Sequence, residues 1–408
     1  MLLIAMYPKT RQMRLETKAR TNQSNIAVRN SGLMIIPFDS RIVKFLSGLP
    51  NPNMDAGRMS GIVIVRTGGE IGIKSRPVRS DYERLILKSI KTRLRAASIQ
   101  YSRIWRIAGR IYVECEDSET VALSLSRLFG VSSTSPGVSM DSRLATIVDL
   151  GTKLVRQALK PGTFAVKCRR VGEHDYGSQD VCRALGEAVL STGISLRVDL
   201  ENPDQVLNVE IRDRMAILYA QHHRGPDGFP LGTQNPVLGI IDGSPESLLA
   251  CWCIMKRGSD LRAIAPASQN MESALDESVE RNLRLLAAWK PGREIRTTVI
   301  QIPPDLKPNE REMLLLSVAA GKARRRGIEA VVSGLSPDLE SMKKLRGLPV
   351  YVLYPLVTVD QALASAWASM VGLEAQGPFG RAVDATDMSL ADSVDVYLDS
   401  SKELTVKA

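Results

Sequence analysis

A chain of 408 residues is long enough for two or three compact domains, each with its own core. Its formal net charge of +10 points to a polyanionic partner such as nucleic acid rather than an acidic small molecule, although a good part of that excess sits in residues 1–58. The five cysteines, Cys115, Cys168, Cys182, Cys251 and Cys253, form no CxxC pair and no disulfide framework, and no apolar run approaches a membrane span, so a reduced, cytoplasmic protein with no membrane role is expected.

Residues 1–58 lack sustained periodicity, are rich in Arg, Asn, Pro and Ser, and read as a disordered leader, with Met59 as an alternative start and a basic RNA-binding arm as the rival reading. From Gly61 the pattern is regular. A strand (Ile62 to Arg66), a helix (Ser80 to Ala97), paired strands (Ser102 to Ile107 and Arg110 to Cys115), a helix (Ser118 to Phe129) and a strand near Val131 to Ser135 give the β-α-β-β-α-β order of a ferredoxin-like domain over 59–137. Its first helix places Leu85, Ile86, Ile90 and Leu94 on one face and Arg84, Lys88, Lys91 and Arg95 on the other. Lys74, Arg76 and Arg79 precede that helix, where they can hold phosphates or simply form a solvated basic face.

A second α/β unit fills 138–222, with a helix from Asp141 to Leu159, a strand Thr163 to Arg170, a helix Gln179 to Leu190 and strands near Arg197 to Leu200, Gln205 to Ile211 and Met215 to Ala220. Its first strand ends in Arg169-Arg170 and turns through Gly172, His174, Asp175, Tyr176 and Ser178. Such a loop can meet phosphates and bases with cations and an aromatic face. It can equally be a capping loop, with Ser178 as helix cap and His174 as a local hydrogen-bonding group.

A Gly/Pro-rich linker, 223–235, leads into the third domain, 236–400. Asn235 to Ile241 reads as a buried strand, Asp242-Gly243-Ser244 as a turn, and Ser244-Pro245-Glu246 as a helix start with a Ser cap and Pro in the first turn. A strand, short loop and helix in that order aim backbone N–H groups at an anion. The loop nevertheless carries two acids, Asp242 and Glu246, which repel phosphate unless a metal intervenes. Cys251-Trp252-Cys253 falls in the helix that follows and reads as core. Strand-helix alternation then continues through Leu261 to Ala265, Ala274 to Trp289, Arg296 to Ile302, Asn309 to Arg325, Ile328 to Ser333, Pro349 to Tyr354 and Thr358 to Met370, the pattern of a doubly wound parallel sheet. The acidic tail from Ala382 ends in a strand-like stretch.

GEIGIKS with Arg79, RRVGEHDYGSQDV from Arg169, NPDQVLNVEIRD from Asn202, GPDGFPLGTQ from Gly225, MKRG at Met255 to Gly258 and PVYVLYPLVTVD from Pro349 follow one another in this order. Together they resemble the tRNA 4-thiouridine synthetase (tRNA sulfurtransferase) family over roughly residues 60 to 373. The resemblance implies an α/β protein with a ferredoxin-like domain, a THUMP domain that grips a tRNA acceptor stem, and a PP-loop ATP pyrophosphatase-like domain. It implies ATP and Mg2+ as cofactors. With them, O4 of the uridine at tRNA position 8 is adenylated with release of pyrophosphate, a persulfide sulfur displaces AMP, and some members also supply sulfur for thiamine synthesis. The implied RNA-binding residues are Lys74, Arg76, Arg79, Arg169, Arg170, His174 and Tyr176, and the implied nucleotide site is Ile240, Ile241, Asp242, Gly243, Ser244, Glu246, Ser247 and Gly334.

The family's loop reads SGGxDS, whereas Asp242-Gly243-Ser244-Pro245-Glu246-Ser247 keeps one Gly and the final Ser, so the loop is degenerate. Of a second stretch only Gly334 remains, in Ser333 to Asp338. After Pro349 to Tyr354, where members often carry a catalytic cysteine, the chain reads GLEAQGPFGRAVDATD, so no catalytic residue is assigned. The expected partners are tRNA and an external sulfur donor; a homodimer stays open.

Overall fold

In the computed structural model the described residues are 60–107, 109–268, 274–337, 348–373 and 394–408; the expected leader, and most of the stretch from Gly372 to Asp387, lie outside them. The ferredoxin-like order is present as β1 (Ser60–Thr67), a one-turn helix α1 (Gly69–Gly72), α2 (Arg76–Ala96), β2 (Arg103–Ile107), β3 (Arg110–Glu114), α3 (Ser118–Leu125) and β4 (Val131–Asp141). Helix α2 starts a turn earlier than the apolar spacing suggests because Pro77 sits in its first turn, where a missing N–H costs nothing. Val63 and Val65 of β1 pack with Ile86, Ile90 and Leu94 of α2 and with Val121, Ala122 and Leu125 of α3, all buried.

Strand β4 runs six residues past its expected end at Ser135. Pro136-Gly137 has the composition of a turn, yet Pro136 pairs with Val63 inside the strand. The strand tolerates it because the opposite flank of β4 is partnered by β9 (His223–Arg224) at Ser133 and Thr134 and by β8 (Met215–Tyr219) from Val138, with no ladder at Pro136 between them. The boundary drawn at 137/138 therefore falls within one continuous strand.

Beyond it come α4 (Leu144–Ala158), β5 (Gly162–Val171), α5 (Ser178–Leu190), β6 (Leu196–Val198), β7 (Gln205–Arg212) and β8. All join a single sheet of order β2-β3-β1-β4-β8-β7-β5-β6, with β9 beside β4. Three strands separate β3 from β7, about 19 Å in a flat sheet with strands about 4.8 Å apart. Yet Tyr112 on β3 donates to Glu210 on β7 at 3.1 Å, and Arg110 pairs with the same carboxylate at 2.9 Å. The sheet is thus curled with its helix-free face inward, closing over Ile62, Ile64, Tyr112 and Ile217. Glu210, 2% exposed, also takes Arg212 at 3.0 Å and holds the two halves of the sheet together.

The linker is built into both neighbours. Gly225 N donates to Ser132 O, Gly130 N to Asp227 O and Phe229 N to Lys256 O. It leads to β10 (Gln234–Ile240), α6 (Pro245–Lys256), β11 (Ser259–Pro266), α7 (Glu277–Ala287), β12 (Glu294–Ile300), α8 (Pro308–Arg325), β13 (Ala330–Val332), β14 (Tyr351–Leu353), α9 (Gln361–Val371), α10 (Val394–Asp399) and β15 (Lys402–Lys407). The sheet order is β14-β13-β10-β11-β12-β15, parallel except for β15, which runs antiparallel on the β12 edge. Helices α6, α7 and α9 share one core around Trp252, and α8 and α10 share the other, so the sheet is covered on both faces as expected.

Candidate nucleotide and nucleic-acid sites

Strand β10 lies between β11 and β13, so the connections leave it in opposite directions and a crevice opens at the carboxyl ends of β10 and β13. Ile240, Asp242, Ser244 and Ser247 line that crevice from one side, Ser333, Gly334 and Leu335 from the other, and Glu312 of α8 closes it. The crevice is partly open to solvent, and the space within it is about 20 Å³, room for about one water molecule. Of the nucleotide-site residues named from the sequence, Ile240, Asp242, Ser244, Ser247 and Gly334 line this crevice, while Ile241 is buried in the core, Gly243 stands in the turn and Glu246 in the first turn of α6.

The turn's hydrogen bonds decide what it can accept. Gly243 adopts φ +92°, which lets the chain fold back so that Asp242 Oδ1 accepts from Ser244 N at 3.0 Å and from Ser244 Oγ at 2.6 Å. Ser244 Oγ in turn caps α6 by accepting from Ser247 N at 3.2 Å, while Ser247 Oγ and Asn282 Nδ2 donate to Ser244 O. Pro245 has no N–H to offer. Of the backbone positions Ser244, Pro245 and Ser247, one donor is held by a carboxylate of the protein, one by a hydroxyl, and one is missing. The Asp242 carboxylate thus lies at the positive end of α6, which stabilises it, with Glu246 in the same first turn. Among the described residues no group of three or more His, Cys, Asp or Glu gathers to hold a metal ion by itself.

Burial is the first influence on all five thiols. Burial pushes the Cys115 and Cys253 thiols up to about 12 and Cys168 up to about 11, and raises Cys182. Cys251, directly beneath the turn, is raised furthest, by burial first and then by Asp242. All five are unpaired thiols, and none is a ready thiolate at neutral pH.

Gly334 touches the start of α6. A Cβ there would lie 2.5 Å from Ser247 N and 2.6 Å from the Glu246 carbonyl carbon, both backbone atoms that cannot yield cheaply. Gly334→Ala is therefore expected to destabilise the third domain by about 1–3 kcal/mol, read as a lower urea midpoint. An unchanged midpoint would mean that the contact is looser than this packing implies.

The residues named for RNA do not form one patch. Lys74 Nζ lies 5.4 Å above the ring of Phe229 in the linker, Arg76 is exposed in the first turn of α2, and Arg79 pairs with Glu83 at 3.0 Å, where Arg106 also binds. Arg170 donates to Gly172 O at 3.0 Å and contacts His174 Nδ1, while His174 Nε2 meets Asp213 O at 2.6 Å. These two tie the β5–α5 loop to the β7–β8 turn. Arg169 points to the other face of β5 and is exposed.

Tyr176, expected to offer its ring to RNA, is buried instead. Its ring is 9% exposed, packs in the core under α4 and α5, and its hydroxyl donates to Ser142 O, so it has no face for a base. The cap is also shifted by one residue: Gly177 is the N-cap of α5, its N–H held by Asp180 at 2.8 Å. Tyr176 then precedes the cap and Val181 stands at the fifth position after it in the same core, a hydrophobic staple that the spacing of YGSQDV signals. Glu210 has no local signal in the sequence, because an acid in a strand of alternating pattern carries no sign of what it will face.

Two family models match the chain, the ThiI ferredoxin-like domain over residues 62–135 and the THUMP domain over 142–221. Among curated proteins, the probable tRNA sulfurtransferase of Aeropyrum pernix is 32% identical over 322 residues, 74% of this chain and 80% of that protein. The probable tRNA sulfurtransferase of Methanosarcina acetivorans is 36% identical over 255 residues, 60% of this chain; the match spans 61% of that relative's length. Among solved structures, PH1313 from Pyrococcus horikoshii is 26% identical with a TM-score of 0.63, covering 77% of this chain and 100% of that one. A 4-thiouridine synthetase solved as an RNA complex with bound ATP shares the fold, at 19% identity and a TM-score of 0.66, over 85% of this chain and 100% of its own. No described helix is long and apolar enough to cross a membrane.

Proposed function

This chain belongs to the tRNA sulfurtransferase family, and from that premise we propose that it is a tRNA-binding member whose nucleotide turn does not support the family's ATP-dependent synthesis of 4-thiouridine at tRNA position 8. The observation that carries the proposal is the bond from Ser244 N to Asp242 Oδ1: the turn that would receive a pyrophosphate is satisfied by its own carboxylate. In this reading residues 60–224 bind tRNA, and the third domain serves as a scaffold or as a subunit partner for a second copy or another chain. A second reading, ATP-dependent thiolation with an external sulfur donor, is favoured by the strand-turn-helix backbone at the switch point, which keeps the shape of a nucleotide site. Any supply of sulfur for thiamine belongs to that second reading.

Incubation of the purified protein with tRNA, magnesium, ATP and sulfide separates the two. The first reading expects a salt-sensitive gel shift with tRNA, no pyrophosphate release and no 4-thiouridine absorbance. Pyrophosphate release with the thiouridine band would establish the second reading, and the absence of any shift would remove tRNA binding.

A further inference from the structure

The curl of the nine-stranded sheet brings together residues that are far apart in the chain. On β2, Trp105 stacks against Tyr112 of β3 at 5.6 Å, and the Arg103 guanidinium lies 5.1 Å above the Trp105 ring. Tyr112 and Arg110 reach Glu210 of β7 across the closure. Arg212 shares that carboxylate, and in the parallel register of β5 with β7, Arg169 stands beside Glu210 and Lys167 beside Asn208. Side chains on neighbouring strands in register share a face of the sheet, so Lys167 and Arg169 stand on the same helix-free side as Glu210. The result is one band across both N-terminal domains: Arg103, Trp105, Arg110, Arg212, Arg169 and Lys167.

Five of these six groups are cations. The acids that share their face are Glu210, which is 2% exposed and fully shared, Glu114, opposite Arg103 in the β2–β3 ladder, and Asp141, two strands from Arg212 and paired with Arg143. Arg110 and Arg212 are largely buried and contribute field rather than contacts, whereas Arg103, Lys167 and Arg169 are exposed. Exposed cations beside a partly exposed indole are what a phosphodiester strand with stacking bases needs. The opposite side of the sheet also has a basic stripe, Arg84, Lys88, Lys91 and Arg95 on α2, but Arg84 is engaged with Asp81 and the stripe stays within one helix of one domain.

We infer that the helix-free band, and not the α2 stripe or the Lys74–Arg79 cluster, is the track that holds the RNA backbone. The inference rests on the tRNA-binding reading given above. It assigns Lys167, Arg169 and Arg103 to phosphates and leaves Arg170, His174 and Tyr176 as loop and core residues.

The test is tRNA binding by fluorescence anisotropy at several salt concentrations, with the full-length chain and three variants. Lys167→Ala with Arg169→Ala is expected to weaken binding about tenfold near 0.1 M salt and to lower the slope of log K against log salt by about 1.5. Arg103→Ala is expected to lower the slope by about 1, and Lys88→Ala with Lys91→Ala to leave affinity within about twofold. All the replaced side chains are exposed, and matching circular dichroism and unfolding midpoints confirm that each variant is folded. If the band variants bind as the unaltered protein does while the α2 variant loses affinity, the track lies on α2 and the inference is wrong although tRNA binding stands. If the unaltered protein binds no tRNA, the reading beneath the inference has failed instead.

Discussion

Replacing Glu210 with alanine is expected to destabilise the N-terminal half of the protein by about 3–5 kcal/mol, the cost of removing one partner from a buried ion pair. The carboxylate faces Arg110, whose side chain is 15% exposed, and Arg212, 6% exposed, and it also accepts from Tyr112. Without it two guanidinium groups remain close together in a low-dielectric closure with no anion between them. Burial already draws Arg110 below its usual range, with Glu210 as the opposing influence that raises it, so the carboxylate is what keeps that charge tolerable there. For Tyr112 the same neighbourhood acts in the other direction: burial first and then Glu210 push its phenol up to about 12, so it stays a neutral donor to the carboxylate. Glu210→Gln should cost less than alanine because the amide oxygen can still accept, but it lacks the charge. Urea unfolding followed by tyrosine and tryptophan fluorescence measures both; an alanine variant within about 0.5 kcal/mol of the parent would mean the closure is held by its apolar lining alone. Because the closure also assembles the proposed RNA track, the alanine variant should lose tRNA affinity together with its fold.

Restoring the family's turn is expected to have a comparable effect in the opposite sense. In a variant carrying Asp242→Ser, Ser244→Gly and Glu246→Asp, the carboxylate that fills the turn is gone and Ser244 N is released from it. A carboxylate about 4 Å from a phosphate oxygen costs about 4 kcal/mol at an effective dielectric near 20, so removing it should raise Mg-ATP affinity by about two to three orders of magnitude. The change to Gly at the cap costs a few tenths of a kcal/mol, well within what α6 can lose given that eight of its twelve residues are buried. Equilibrium dialysis with labelled ATP reads the result. No gain in affinity would place the defect elsewhere, with Glu312 of α8 at the same crevice the first group to examine.

Much of this was legible in the sequence because local signals and tertiary structure agree. Ser244-Pro245-Glu246 reads as a capped helix start, and Ser244 is the cap with Pro245 in the first turn. The alternation of strands and helices gave the parallel sheet, and the sheet order then put Gly334 beside the turn although ninety residues separate them in the chain. What the sequence left open was set by long-range contacts. Pro136-Gly137 carries the local chemistry of a turn, but β4 continues because at that point it needs a partner on one flank only. Asp242 was recognisable as a charge that repels phosphate; that it would bond its own turn depends on Gly243 reaching a positive φ beside Ser278, which no local pattern announces. Tyr176 and Arg169 lie seven residues apart in one motif, and the strand sends Arg169 to solvent while the loop after it sends Tyr176 into the core. A motif read as a unit cannot separate them, because the division is made by the strand's pleat and by the staple on α5.

Whether Asp242 has taken the place of a nucleotide's phosphate is tested, without any substitution, by calorimetric titration of Mg-ATP into the unaltered full-length protein. No saturable heat is predicted up to about 1 mM ATP, corresponding to a binding free energy weaker than about −4 kcal/mol. One-to-one binding in the micromolar range would contradict it, since it would require the turn to surrender the carboxylate that now holds Ser244 N.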